Sequence, residues 1–196
     1  MLLGLTGPAG AGKDTIAAFL TGYGFVPYAF AKPLKEALSV LGLDEPSNRD
    51  DKEKLLPGRA YSYRMAAQRL GTEFARSLDP DFWMALAAQR TAGVHNTVIT
   101  DVRFENEATW VRDRGGLLEH VIGRKTQLIG ATAGHASENG VLKLDNDVVL
   151  DNSGDKTVLL NHVKQLVLRD IPLFVEKQHA SSRRSEFNSV DLPTSR

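Results

Sequence analysis

The chain opens on a short apolar run, Leu2-Leu3-Gly4-Leu5-Thr6, the pattern of a strand buried on both faces of a parallel sheet. Beyond a glycine-rich break, Ile16, Phe19, Leu20 and Tyr23 recur at helical spacing and predict an amphipathic helix. Phe25–Phe30 predicts a second strand, with Pro27 marking its start or an edge position. Ala31–Glu36 opens a second helix, with Pro33 in its first turn and Leu34, Leu38 and Leu41 on its apolar face. From Asp44 to Arg59 the chain is charged and aperiodic, with Pro46, Pro57 and Gly58, and predicts a mobile insertion. A third helix is expected over 62–78, and a fourth begins at Asp79-Pro80-Asp81, with Trp83, Leu86 and Ala87 on one face. Asn96–Asp101, Leu117–Ile122 and Asn146–Leu150 predict three more strands. Helices follow the first through Phe104, Ala108 and Val111, and the last through Leu159, Val163 and Leu166. Strand and helix alternate throughout, which predicts an α/β fold: a doubly wound, five-stranded parallel sheet with helices on both faces.

The expected domain covers 1–170, with an insertion at about 44–60 and a Gly/Ala/Thr-rich lid at about 124–140. Residues 171–196, polar and rich in serine and arginine from Glu176 on, are expected to be disordered. The 196 residues suffice for one substantial core. Lys+Arg and Asp+Glu number 24 each, so no basic excess points to nucleic acid and no bias points to a membrane surface. Cysteine is absent, which excludes disulfides and thiolate chemistry. No apolar run approaches a membrane span, and no signal precedes the first strand; a cytoplasmic protein is expected.

The glycine-rich break carries the chemistry. Gly7-Pro8-Ala9-Gly10-Ala11-Gly12-Lys13-Asp14-Thr15 has the spacing of a phosphate-binding loop, but Asp14 holds the usual Ser/Thr place and Thr15 follows. Lying between a strand and a helix, such a loop turns backbone N–H groups and a helix N-terminus toward an anion. Lys13 is placed to reach outer phosphates. In the 62–78 helix, about 100° per residue puts Ala67, Leu70, Phe74 and Leu78 on one side and Arg69, Thr72, Glu73 and Arg76 on the other. That second face fits a phosphate grip, but on spacing alone it reads first as a solvated face of i, i+4 ion pairs. Asp101 ends its strand at the edge where open α/β sheets bind ligands, a place from which it could hold Mg²⁺ through water. Arg103, two residues on, could reach a transferring phosphate. The bland reading of that pair is a helix cap and a surface arginine.

Four stretches together resemble the deoxynucleoside monophosphate kinases of bacteriophages and prophages. They are Gly7–Thr15, Phe30-Ala31-Lys32-Pro33-Leu34-Lys35-Glu36, Leu70-Gly71-Thr72-Glu73 with Arg76, and Thr100-Asp101-Val102-Arg103-Phe104-Glu105-Asn106-Glu107. The resemblance implies a P-loop NTPase-type fold with lid and acceptor-binding insertions. It also implies ATP-dependent phosphorylation of a deoxynucleoside monophosphate with Mg²⁺, by a monomer or homodimer acting on no nucleic acid. Another small-molecule kinase, such as one acting on dephospho-coenzyme A, and a non-catalytic ATP-binding regulator are the competing readings. By the same resemblance Gly7, Ala9, Gly10, Ala11, Gly12, Lys13, Asp14 and Thr15 hold ATP, and the Asn152 turn borders its adenine. Phe30, Lys32, Arg69, Glu73, Arg76, Trp83 and Arg103 hold the acceptor. Lys13, Arg103 and Arg124, joined by Lys125, act on the transferring group. Thr15, and Asp101 through water, serve the metal.

Overall fold

The computed structural model describes residues 1–48, 50–122 and 141–168. Its centre is a five-stranded sheet in which every pairing is parallel: β1 (Leu2–Thr6), β2 (Val26–Tyr28), β3 (Thr97–Val102), β4 (Leu117–Ile122) and β5 (Val148–Asp151). The order across the sheet is β2-β3-β1-β4-β5. The first strand is therefore central: the chain crosses to edge strand β2, returns to β3 beside β1, and then passes to β4 and β5 on the other side. Pro27 lies in edge strand β2, where its missing N–H costs no ladder hydrogen bond.

Parallel strands require crossovers, and helices supply them. They are α1 (Lys13–Thr21), α2 (Lys32–Val40), α3 (Tyr63–Gln68), a wide-turned π segment (Arg69–Ala75), α4 (Arg76–Leu78), α5 (Phe82–Arg90), α6 (Glu105–Asp113) and α7 (156–168). Two apolar layers result. Ile16, Leu20, Leu159, Val163 and Val167 from α1 and α7 cover one face, against Leu3, Leu5, Val98, Val121 and Leu150. Trp83, Met84, Ala87, Ala108 and Val111 from α5 and α6 cover the other, against Ile99, Val102 and Leu118. Both layers follow the predicted strand and helix phases.

Two expectations change. The charged insertion is tied down by ion pairs: Lys52 and Lys35 both reach Glu45, at 2.5 and 3.0 Å, Arg64 pairs with Glu53, and Leu55 bridges Ser62. It forms a wall of the cleft described below. The third helix, started by Ser62 accepting from the Met65 N–H at 3.2 Å, does not keep a 100° step. Through the π segment each residue turns the chain by less than in an α-helix, so the phase slips. Phe74 and Leu78, expected in the core, are 58% and 68% exposed, while Gly71 and Ala75 are buried.

Candidate functional site

Strand β1 ends at Thr6, which is level with Val102 of β3. Gly7 and Arg103 are thus the first residues beyond two adjacent strand ends, and the phosphate loop and the Arg103 turn leave the sheet side by side. This is the edge where parallel sheets bind ligands.

The loop's shape is dictated by close approach. Gly7 (φ +129°) and Gly12 (φ +109°) take left-handed backbone, and a Cβ at either would collide: with the Val121 carbonyl oxygen at 2.3 Å, and with Asn152 Nδ2 at 2.5 Å. Lys13, the first residue of α1, folds its ammonium over the loop and donates to the Gly7 and Pro8 carbonyls at 2.7 and 2.9 Å. Thr15 is half-buried in the first turn and Asp14 is exposed. The Asn152 side chain is 2% exposed and donates to the Ala11 carbonyl at 2.6 Å, while its backbone N–H bonds the Ile122 carbonyl at 2.8 Å. It therefore clamps the loop to the ends of β4 and β5. The Asn152 side chain is thus engaged with the loop itself, and the turn's exposed residues are its neighbours Asp151, Ser153 and Gly154.

Arg103 also lines a cleft of about 260 Å³. Its lining includes Phe30, Trp83 and Leu34 as apolar walls, and Arg64, Arg76, Arg103, Lys35 and Lys52 as cations. Trp83, 7% exposed, is both core and wall, and its indole N–H donates to the Gly71 carbonyl at 2.9 Å. Phe30 is held edge-on against Trp110.

The Asp-Val-Arg-Phe-Glu-Asn-Glu run turns out to be chiefly scaffolding for this cleft. Asp101 accepts from the Phe30 N–H at 2.7 Å through one carboxylate oxygen and from the Ala31 N–H at 3.0 Å through the other, fixing the entry into α2. Asn106 ties α6 to the Pro80 carbonyl at 2.9 Å and to Asp81 at 3.1 Å. Glu107, 2% exposed, accepts from the Arg103 and Phe104 N–H groups at 2.7 and 3.1 Å, and its other oxygen pairs with the Arg76 guanidinium. Arg76 also lies over the Phe104 ring, its Cζ 3.9 Å from the centroid. So Arg76 faces the cleft from a held position, its side chain 12% exposed. Burial pushes both Asp101 and Glu107 above the ordinary carboxylate range. The N–H groups of Ala31 and Phe30 and the Arg103 charge oppose this at Asp101; the Arg103 N–H and Arg76 oppose it at Glu107.

Arg69 and Glu73 do not join Arg76. Their side chains are 70% and 66% exposed, 3.9 Å from each other, and Arg69 lines a different, apolar groove behind α3. The phase slip of the π segment separates them. Lys32 is likewise outside the cleft lining and exposed, and Lys35, one turn on, stands in the wall instead. Arg64, Gln68, Tyr63 and the Glu45–Lys52 wall were missed by pattern reading. The available signal was the four-residue series Arg64, Gln68, Thr72, Arg76, all of which line the cleft. Arg124, Lys125, the 124–140 lid and the 171–196 tail lie outside the described residues. Among the described residues no helix could cross a membrane, and no cluster of three or more His, Cys, Asp or Glu side chains is arranged to hold a metal.

A phosphate loop after the central strand of a β2-β3-β1-β4-β5 parallel sheet defines a phosphate-binding α/β protein of P-loop kinase build. The deoxynucleotide monophosphate kinase family matches residues 49–163, more than half of the chain. A protein of Acanthamoeba polyphaga mimivirus assigned as a deoxynucleotide monophosphate kinase is 32% identical over 138 residues, covering 60% of this chain and 72% of the relative. The chain belongs to the deoxynucleotide monophosphate kinase family. The matched residues begin after the phosphate loop, so the loop stands as an independent observation. Among solved structures, an unliganded sugar kinase from Janibacter sp. HTCC2649 aligns over 82% of this chain and 90% of its own, with 18% identity and a TM-score of 0.45.

Proposed function

We propose that the chain transfers the γ-phosphoryl group of ATP to the 5′-phosphate of a deoxynucleoside monophosphate, with the donor on the Gly7–Thr15 loop and the acceptor in the cleft. One observation carries the reading: Arg103 follows the strand end beside the loop and lines the cleft, and Arg76, fixed by Glu107, lines the same cleft.

The acceptor phosphate is already an anionic nucleophile, so the site requires no strong general base. Its tasks are alignment and charge neutralisation. Lys13 exchanges its loop carbonyls for the outer phosphate oxygens of ATP. Arg76 grips the acceptor phosphate, with Phe104 and Glu107 keeping its guanidinium from swinging away. Arg103 lies between the two anions and meets the charge spread over the transferring group. Phe30 and Trp83 flank the nucleoside, and Arg64, Gln68, Lys35 and Lys52 stand along the rest of the cleft. In this reading Arg124 adds a further cation, and Arg69, Glu73 and Lys32 drop out of acceptor binding.

The oxygen donors near the loop suit a hard cation held mainly by nucleotide phosphates and water, as Mg²⁺ is. The Thr15 hydroxyl is the nearest protein candidate. Asp101 fits less directly, because both of its oxygens already accept backbone N–H bonds; it could act only through water. When bound, Mg²⁺ supplies positive charge to the donor phosphates. The location proposed is the cytoplasm, where ATP and nucleotides are at hand.

A phosphoryl-transfer screen over all common deoxynucleoside and nucleoside monophosphates tests the function. Transfer to at least one deoxynucleoside monophosphate, preferred over its ribose counterpart, is expected. Turnover with none of them overturns the proposal.

A further inference from the structure

Asp101 stands near the end of β3, just past the point where its ladder to β2 stops. The last partners of that ladder are Tyr28 and Ile99. Beyond Tyr28 the chain turns into α2, whose first residue is Lys32. The N–H groups of Phe30 and Ala31 fall between the ladder and the first helical turn, where neither element supplies a carbonyl. Ala31 is the N-cap of α2, and its methyl group cannot take them. The Asp101 carboxylate does so instead, one oxygen to each N–H, at 2.7 and 3.0 Å. It is a helix cap supplied by another strand, 70 positions away from Ala31, and its charge suits a helix N-terminus.

What this cap holds is a wall of the cleft. Phe30, Leu34 and Lys35 all line the cleft from this junction and the first turn of α2. Phe30 is capped directly, and its ring is seated edge-on against Trp110 with centroids 5.7 Å apart. Arg103, two residues after Asp101, lines the same cleft. One short stretch of β3 thus carries a cation of the cleft and holds its aromatic wall. Each oxygen of Asp101 is already turned to a backbone N–H of that wall, which leaves it poorly placed to serve a cation at the phosphate loop. We infer that Asp101 is a positioning residue for the acceptor, seating Phe30 and the start of α2 against the nucleoside, and that it takes no part in holding the metal. This rests on the cleft being the acceptor site.

Steady-state rates and titration calorimetry with ATP separate the two roles. Asp101→Asn keeps one acceptor oxygen and sets an amide N–H against the other partner. It should raise the acceptor KM by about tenfold or more and leave the ATP KM unchanged. ATP binding measured without an acceptor, with and without Mg²⁺, should match the parent and needs no turnover. Asp101→Glu keeps the charge but moves both oxygens one methylene outward, and should raise the acceptor KM as well. Phe30→Leu should raise it too. The double variant Asp101→Asn, Phe30→Leu should lose less than the product of the single losses, because both act through one ring. ATP binding that weakens in Asp101→Asn only when Mg²⁺ is present returns the residue to the metal and overturns the inference. So does an acceptor KM unmoved by either Asp101 variant, or single losses that multiply in full. A parent chain that phosphorylates no deoxynucleoside monophosphate overturns the underlying reading of the cleft, and this inference with it.

Discussion

The two halves of the crevice are built by different means. The phosphate loop is a backbone object. Its geometry comes from two glycines in left-handed conformations, a strand carbonyl that leaves no room for a Cβ at Gly7, and one buried amide clamp at Asn152. The cleft proposed for the acceptor is a side-chain object. Its cations stand in place because carboxylates hold them: Glu107 on Arg76, Glu45 on Lys35 and Lys52, Glu53 on Arg64. A backbone cradle meets any polyphosphate in the same way, which suits a common donor. A wall of paired side chains can be exchanged residue by residue, which suits an acceptor that must be told from others.

The sharpest way to break this contrast is Lys13→Ala. Loss of the ammonium proposed to reach the donor phosphates should lower kcat by about 10³-fold or more with the fold intact. Steady-state rates beside a melting curve check it, and near-parental turnover would return Lys13 to a loop-stabilising role. Next comes Arg76→Ala, expected to raise the acceptor KM by about 10- to 100-fold and leave the ATP KM nearly unchanged. Equal effects on both constants would remove Arg76 from the acceptor half.

Asn152→Asp sharpens the other half. The replacement keeps the shape but presents an acceptor oxygen to the Ala11 carbonyl, which loosens the loop. The ATP KM should rise by roughly tenfold while the acceptor KM holds, and stability should drop by about 1–3 kcal/mol. An unchanged ATP KM would mean that the loop is shaped without the clamp.

The smallest effect lies outside both halves and controls for global loss of structure. Burial works against ionisation of Asp147, but Arg112, the Leu144 N–H and His120 outweigh it and bring the carboxyl down to about 2. A depressed carboxylate contributes stability above its ordinary range and loses it as pH falls toward about 2, here roughly 2 kcal/mol. Acid unfolding of Asp147→Asn should lack that portion of the curve. Asp101 and Glu107, raised by burial, have the opposite sign and become less costly on acidification.

What could be read along the chain was whatever depends on neighbours in sequence. The five strands and their parallel winding follow from apolar runs alternating with helical periodicity. The phosphate loop follows from spacing and from its place between a strand and a helix, because nine consecutive residues make it. Pro27 announced its edge strand for an equally local reason. Other features required the folded chain. One π segment displaced Arg69 from Arg76, since a slight underwinding accumulated over seven residues cannot be seen in a helical pattern. Asn152 lies 141 positions from the carbonyl it clamps, and Glu107 lies 31 from Arg76. Contacts across such separations are set by how strand ends line up, and only the assembled sheet decides that.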